Sequence, residues 1–165
     1  MTQDEIEEIA FKWTGKPSAR NVDADTFMRA CANGDTDFVR DALEFNKSLA
    51  NTSGENRITA LMWAARNGHT DVAKLLIDNG ANVNAVHEYG TTPLMWAVGD
   101  IDDYPSMVRL LLEAGADVNF TSRSNPYTAL DMAQIGGLEK SIAVLKSWGG
   151  INSGQPIYVR KKSNI

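Results

Sequence analysis

The stretch Thr92-Pro93-Leu94-Met95-Trp96-Ala97 decides the fold, because it copies an earlier part of the same chain. The earlier copy, Thr59-Ala60-Leu61-Met62-Trp63-Ala64, lies 33 residues upstream, and a further copy begins at Thr128. A weaker copy over residues 25–30 precedes them all. Self-similarity at a fixed spacing of roughly 20–50 residues is typical of proteins built from stacked repeats. The sequence therefore predicts a repeat protein.

Each repeat carries the signals of two short helices. Thr59 can accept the free N–H groups at a helix start, and Pro93 suits the first position of a helix. Leu75 and Leu76 belong to an apolar stripe at helical spacing, which predicts a second, partly buried helix. Gly80 follows that stripe, where helices commonly end in a left-handed residue. We expect a helix-turn-helix unit in every repeat.

These residues resemble the ankyrin repeat family. Residues 64–69 (AARNGH) and residues 115–119 (GADVN) are close to the family consensus, and the resemblance covers residues 25–150. It implies an all-α repeat protein, an ankyrin-type solenoid of about four helix-turn-helix repeats joined by β-hairpin-like loops, with an N-terminal capping helix. The His that the family usually has in the first helix is replaced by Met62, Met95 and Asp131, which puts in doubt the bonds that this His makes between neighbouring loops.

The predicted organisation has three parts. We expect an N-terminal amphipathic helix and linker over residues 1–22, an ankyrin repeat domain over residues 23–151 and a C-terminal tail over residues 152–165. The repeats are expected at about 25–56, 57–89, 90–125 and 126–151.

Three segments fall outside the repeat pattern, and each leaves two interpretations open. Residues 2–13 form a cap on the first repeat or a helix that binds a partner. Residues 99–105 contain two extra residues between the helices of the third repeat, and they form a neutral loop or an acidic contact patch. Residues 151–165 are an edge with a frayed end, or a docking peptide based on Arg160, Lys161 and Lys162.

Composition narrows the class of protein. The 165 residues carry a formal net charge of −5 with a pI near 5.0, so nucleic acid is not an expected partner. No apolar run is long enough to cross a membrane, and the acidic start differs from a signal peptide, so no membrane partner is expected. Cys31 is the only cysteine, which excludes an internal disulfide. We expect a cytoplasmic protein.

The sequence contains no readable set of acid, base and nucleophile, and a composite site among Asp100, Asp102 and His87 is the one catalytic alternative. The chain has no phosphate-binding loop, dinucleotide fingerprint or serine nucleophile elbow. Its two histidines are well separated: we expect His69 to be structural and His87 to be exposed. Cys31 aligns with Ala65, a small packing position. We therefore predict no catalytic, cofactor-binding or metal-binding residue, no cofactor, and a protein that is not an enzyme.

The predicted function is binding of another protein. The resemblance implies contacts at the hairpin tips and on the exposed, concave side of the first helices. On the tips these are Glu55, Asn56, Ile58, Glu88, Tyr89, Thr91, Ser124, Asn125 and Tyr127. On the helix side they are Arg66, Asn67, Asp100, Ile101 and Tyr104. Trp63 and Trp96 should stand side by side, either in the core or, with exposed edges, at the centre of the binding site.

Alternatives remain within and outside this class. A small free-standing ankyrin protein can serve as an inhibitor or an immunity protein. An enzyme or small-ligand binder would use the concave groove and would require a deep pocket with converging polar groups. A self-assembling protein would exchange residues 2–13 or the tail between chains, whereas we expect a monomer when the chain is alone.

Overall fold

The computed structural model describes Thr2, residues 22–100 and residues 102–156. The predicted N-terminal helix, Ile101 and the basic part of the tail lie outside the described residues, and the predicted domain boundaries remain predictions.

Within the described part of the chain, eight α-helices form four successive pairs and no strand is present. The first helices of the pairs are α1 (Ala24–Asn33), α3 (Ala60–Arg66), α5 (Pro93–Ala97) and α7 (Ala129–Gly136). The second helices are α2 (Thr36–Phe45), α4 (Thr70–Asp78), α6 (Pro105–Glu113) and α8 (Glu139–Ser147). Two short 3₁₀ helices, Lys47–Asn51 and Glu55–Arg57, lie between α2 and α3.

The helices pack in two layers. Each first helix contacts the first helix of the next repeat, from α1 to α3, α5 and α7 in turn. The second helices make the same succession of contacts, from α2 through to α8. This arrangement confirms the all-α ankyrin-type solenoid, in which each repeat is supported by its neighbours.

The predicted helix starts are confirmed. The Thr59 side chain accepts the N–H of Met62 at 3.2 Å and so caps α3. Thr92 and Thr128 make the equivalent bonds at the starts of α5 and α7. Pro93 occupies the first turn of α5, where its missing N–H group costs nothing.

A thin core runs between the two layers. One fully buried residue from each first helix lies at an equivalent position: Phe27, Leu61, Leu94 and Leu130. Cys31 is also fully buried, as its alignment with Ala65 predicts, and this burial raises the pKa of its thiol to about 12.

Three asparagines bridge consecutive repeats. The Asn51 side chain donates to the carbonyl of Gly80 at 2.8 Å and accepts the N–H of Asn82 at 2.9 Å. In the next repeat Asn84 makes the same pair of bonds to Gly115 and Asp117, and Asn119 makes it to Gly149 and Ile151. Because an amide offers both a donor and an acceptor, each bridge fixes the register of one repeat against the next.

Candidate functional site

Two rows of side chains cross the first-helix layer. The first row has one residue from each first helix at an equivalent position: Arg29, Trp63, Trp96 and Met132. The second row lies one helical turn later: Ala32, Arg66, Gly99 and Ile135. Together they line three adjoining grooves, and we call this surface the groove face.

Four rings form an aromatic ridge, which is Trp63, Trp96, His87 and Tyr89. The Trp63 and Trp96 rings meet edge to face, with centroids 5.6 Å apart and planes at 80°. The centroid of the His87 ring lies 5.6 Å from that of Trp96 and 5.1 Å from that of Tyr89, and both pairs meet edge to face. This ridge connects the helices of the groove face to the hairpin tip before α5.

The two tryptophans are half-buried, so they lie neither wholly in the core nor wholly on the surface. Their inner surfaces pack against the core, and Trp63 and Trp96 also line grooves on the outside. Trp96 is held further by its Nε1–H, which donates to the Thr91 hydroxyl at 2.9 Å. Each ring is therefore fixed in place while one surface stays accessible.

The expectation that His87 is exposed is wrong. Only 8% of this residue is exposed, because its ring packs between Tyr89 and Trp96. The chain also folds back here: the His87 N–H donates to the carbonyl of Thr91 at 2.8 Å. A connecting segment has no periodic pattern, so this burial could not be predicted from the residues alone.

Arg66 joins two repeats across the groove face. Its guanidinium carbon lies 6.0 Å from the centroid of Trp96, and its Nε–H donates to the Asp100 carboxylate at 3.3 Å. Both side chains are nearly half exposed, so this pair contributes little to stability. Its effect is to hold a cation and a carboxylate beside the tryptophan.

The largest groove lies between the third and fourth repeats and has a volume of about 610 Å³. Val98, Met132 and Ile135 contribute apolar surface to its lining, together with Gly99 and Gly136. Six predicted contact residues come together around it: Tyr89, Thr91, Asp100, Ser124, Asn125 and Tyr127.

The two smaller grooves bring in three more predicted residues. Arg66 and Trp96 line a groove of about 240 Å³, which shares Thr91, Gly99 and Met132 with the largest one. Trp63 lines a groove of about 400 Å³ at the first repeat. The predicted helix-side and tip residues thus meet on one surface.

Other predicted residues line none of these three grooves: Glu55, Asn56, Ile58, Asn67, Glu88 and Tyr104. The Glu88 N–H donates to the carbonyl of Asn56 and so connects two tips. The half-buried Tyr104 ring lies so close to Gly68 that a side chain there would clash with it, and its hydroxyl donates to Asp102 at 3.1 Å. Tyr104 therefore packs between repeats.

Sequence reasoning missed several residues of the groove face. Met132 and Arg29 stand where other repeats have Trp63 and Trp96, so the repeat alignment contained the signal for both. Ile135 aligns with the predicted residue Arg66, so the alignment contained its signal as well. Val98 directly follows α5 and is buried, and a buried apolar residue at such a position usually belongs to the core.

Two further properties concern the described residues. They contain no group of three or more His, Cys, Asp or Glu side chains arranged to hold a metal ion. None of their helices combines the length and the apolar character needed to cross a bilayer.

Comparison with known families identifies the fold independently. The family described as ankyrin repeats (3 copies) matches residues 27–122, which is more than half of the chain. The chain belongs to the ankyrin repeat family. The resemblance seen in the sequence is thereby confirmed. Ankyrin repeats are protein–protein interaction modules, and the family is generally non-enzymatic.

The relatives of this ankyrin repeat protein are mostly much longer chains. A transient receptor potential cation channel subfamily A member 1 homolog of Caenorhabditis elegans is 37% identical over 74% of this chain and 10% of its own length. Human ankyrin repeat and SOCS box protein 16 is 34% identical over 68% of this chain and 24% of its own length. Human NAD-capped RNA hydrolase NUDT12 is 38% identical over 44% of this chain, and the match covers only 16% of that enzyme.

Proposed function

We propose that this ankyrin repeat protein is a non-enzymatic module that binds a partner protein through the groove face and the neighbouring hairpin tips. The observation that carries the proposal is the aromatic ridge, which reaches from the first-helix layer to a tip. Tyrosine and tryptophan are the residues that most often anchor protein interfaces.

The composition of the largest groove supports the same conclusion. Apolar side chains share its lining with hydroxyl, amide and carboxylate groups on Thr91, Asn125 and Asp100. Protein interfaces likewise combine apolar and polar groups. Tyr89, which is 63% exposed, would be the outermost anchor.

A matched pair of variants tests the groove face. Tyr89→Ala removes an exposed ring from the largest groove, whereas Trp148→Ala removes a 43% exposed ring that lines none of the three grooves. Wild-type protein and both variants, each checked for an unchanged melting temperature, are used to capture partners from source cells by crosslinking. The dissociation constant of each captured partner is then measured with the wild type and with both variants.

We expect Tyr89→Ala to weaken binding at least tenfold, as hot-spot truncations do, and Trp148→Ala to leave it unchanged. Equal binding by Tyr89→Ala and wild type would contradict the assignment of the groove face.

A role as an inhibitor or immunity protein is a narrower form of this proposal. It predicts that the captured partner is an enzyme whose activity falls when the purified ankyrin protein is added at equal concentration. A partner with no activity, or with unchanged activity, would remove this narrower role and leave the binding function in place.

Small-ligand binding or enzymatic use of the same groove is the alternative. The largest groove has a volume within the range of ligand pockets, but it is open to solvent. We favour protein binding because the lining of the groove face extends from the helices to two successive tips, those before α5 and α7. The chain is proposed to be monomeric on its own, which light scattering would test.

A further inference from the structure

A second surface of the molecule contains an arginine in a strained backbone conformation. Arg57 has φ 62°, and Asn56 before it has φ 56°. Asparagine tolerates this left-handed region, but arginine rarely adopts it. The equivalent position in the next repeat is Gly90, with φ 80°. The chain therefore has an arginine where glycine would relieve the strain, and strained residues cluster at functional sites.

The Arg57 side chain lines an open cavity of about 340 Å³ between the first and second repeats. None of the residues around this cavity lines the three grooves of the groove face. Arg57 is the only charged residue among them, and the remainder are amides, hydroxyls and small apolar side chains. The cavity is therefore polar, with one cation and no carboxylate in its lining.

Three hydrogen-bond donors around the cavity have no partner among the described residues. They are the Arg57 guanidinium, the Ser53 hydroxyl and the side-chain nitrogen of Asn82, whose oxygen already accepts the N–H of Asn84. By contrast, Asn51 and Asn84 use both side-chain atoms to bridge repeats. All three residues are exposed, so an anion that enters the cavity can accept from donors of three different types.

We infer that this cavity binds an oxyanion, and that the oxyanion is a carboxylate of an acidic segment of the partner protein. The planar guanidinium matches a carboxylate with two parallel hydrogen bonds, and Ser53 and Asn82 can donate to the same group. The chain as a whole is acidic, with a net charge of −5, so an anion that binds here needs this local cation. The partner part of this inference rests on the proposed protein-binding function.

The test uses the full chain, labelled with ¹⁵N, and an acetylated and amidated triglutamate peptide as the probe. We expect saturable shifts of the Arg57 Nε–H and the Asn82 side-chain amide resonances. Arg57→Gly should weaken peptide binding at least fivefold and raise the melting temperature by about 2 °C, because it relieves the strain at this position. Arg123→Gly, which removes an exposed arginine outside the cavity, should leave the peptide affinity unchanged.

Two outcomes overturn the inference. One is a peptide affinity for Arg57→Gly equal to that of the wild type. The other is that the wild type does not bind the peptide; if inorganic phosphate binds in a parallel titration, the site takes an oxyanion other than a carboxylate. The assay needs no partner, so its failure leaves the test of Tyr89 on the groove face untouched.

Discussion

Ser141 in α8 donates both its backbone N–H and its hydroxyl to the carboxylate of Asp103, which lies one repeat earlier in the chain. The same carboxylate accepts the N–H of Lys140 at 2.9 Å. Helix α8 has no side-chain cap of its own, since Leu138 occupies its N-cap position. Asp103 therefore caps a helix of the next repeat. The loop of residues 99–105 therefore holds two repeats together. Neither interpretation of this loop from the sequence predicted that role.

Removing this cap should weaken the last repeat. We expect Asp103→Ala to lower the free energy of unfolding in urea by about 1–2 kcal/mol, the usual cost of losing a helix cap. Asp102→Ala is the matched control, because exposed Asp102 accepts only the Tyr104 hydroxyl among the bonds seen here. Equal losses from the two variants would show that the capping bonds do not stabilise α8.

The asparagine bridges give a second prediction. Asn84→Ala removes one donor and one acceptor between repeats, so we expect about 1–2 kcal/mol less stability towards urea. Asn33→Ala changes an exposed asparagine that makes no side-chain hydrogen bond within the described residues, and it should have little effect. If Asn84→Ala were as stable as the wild type, the bridges would contribute nothing to the register.

Asp131 predicts a dependence on pH. Burial alone would raise the pKa of this carboxyl, but hydrogen bonds from Asn152, Ser153 and Thr128 outweigh it and hold the pKa at about 2. The pKa of Asp131 in the folded protein lies below its ordinary value of 3.8. Its contribution to the free energy of unfolding is therefore complete above pH 4 and is lost as the pH falls towards 2. That contribution is about 2 kcal/mol.

The measurement compares urea unfolding of the wild type and Asp131→Asn at pH 6 and pH 3. The difference in stability between the two proteins should shrink by about 1 kcal/mol at the lower pH. The comparison cancels the effect of the other carboxyls, which titrate in both proteins. A difference that stayed constant, or grew, would contradict the lowered pKa.

The repeat register predicts a contrast between two positions. Ala65 is fully buried in α3, which packs between α1 and α5, so Ala65→Trp should cost about 1–3 kcal/mol or more through overpacking. Tyr89 is 63% exposed, so Tyr89→Ala should change the melting temperature little. A larger shift in melting temperature for Tyr89→Ala than for Ala65→Trp would show that the register is wrong.

The bonds between neighbouring loops show how the family's usual His is replaced. The sulfur of Met95 lies 3.4 Å from the side-chain nitrogen of Asn125 in the next loop. Asp131 accepts the side-chain N–H of Asn152 and the backbone N–H of Ser153 in the segment after α8. At these two positions loop contacts therefore persist with different chemistry, whereas the sulfur of Met62 accepts the N–H of Thr59 in its own repeat.

The sequence by itself determined the fold and most of the layout of the groove face. Caps, apolar stripes and turn glycines repeat along the chain, and each acts within a few residues, so their spacing is enough to predict the helices and to place Trp63 beside Trp96. The tertiary structure alone decided the burial of His87, the capping of α8 by Asp103 and the free donors around Arg57. The capping of α8 depends on a contact between residues 38 apart in the chain, and the burial of His87 depends on how its loop folds against Tyr89 and Trp96. The free donors depend on the conformation of one loop residue. Local patterns do not record such contacts, because their geometry exists only once the repeats have stacked.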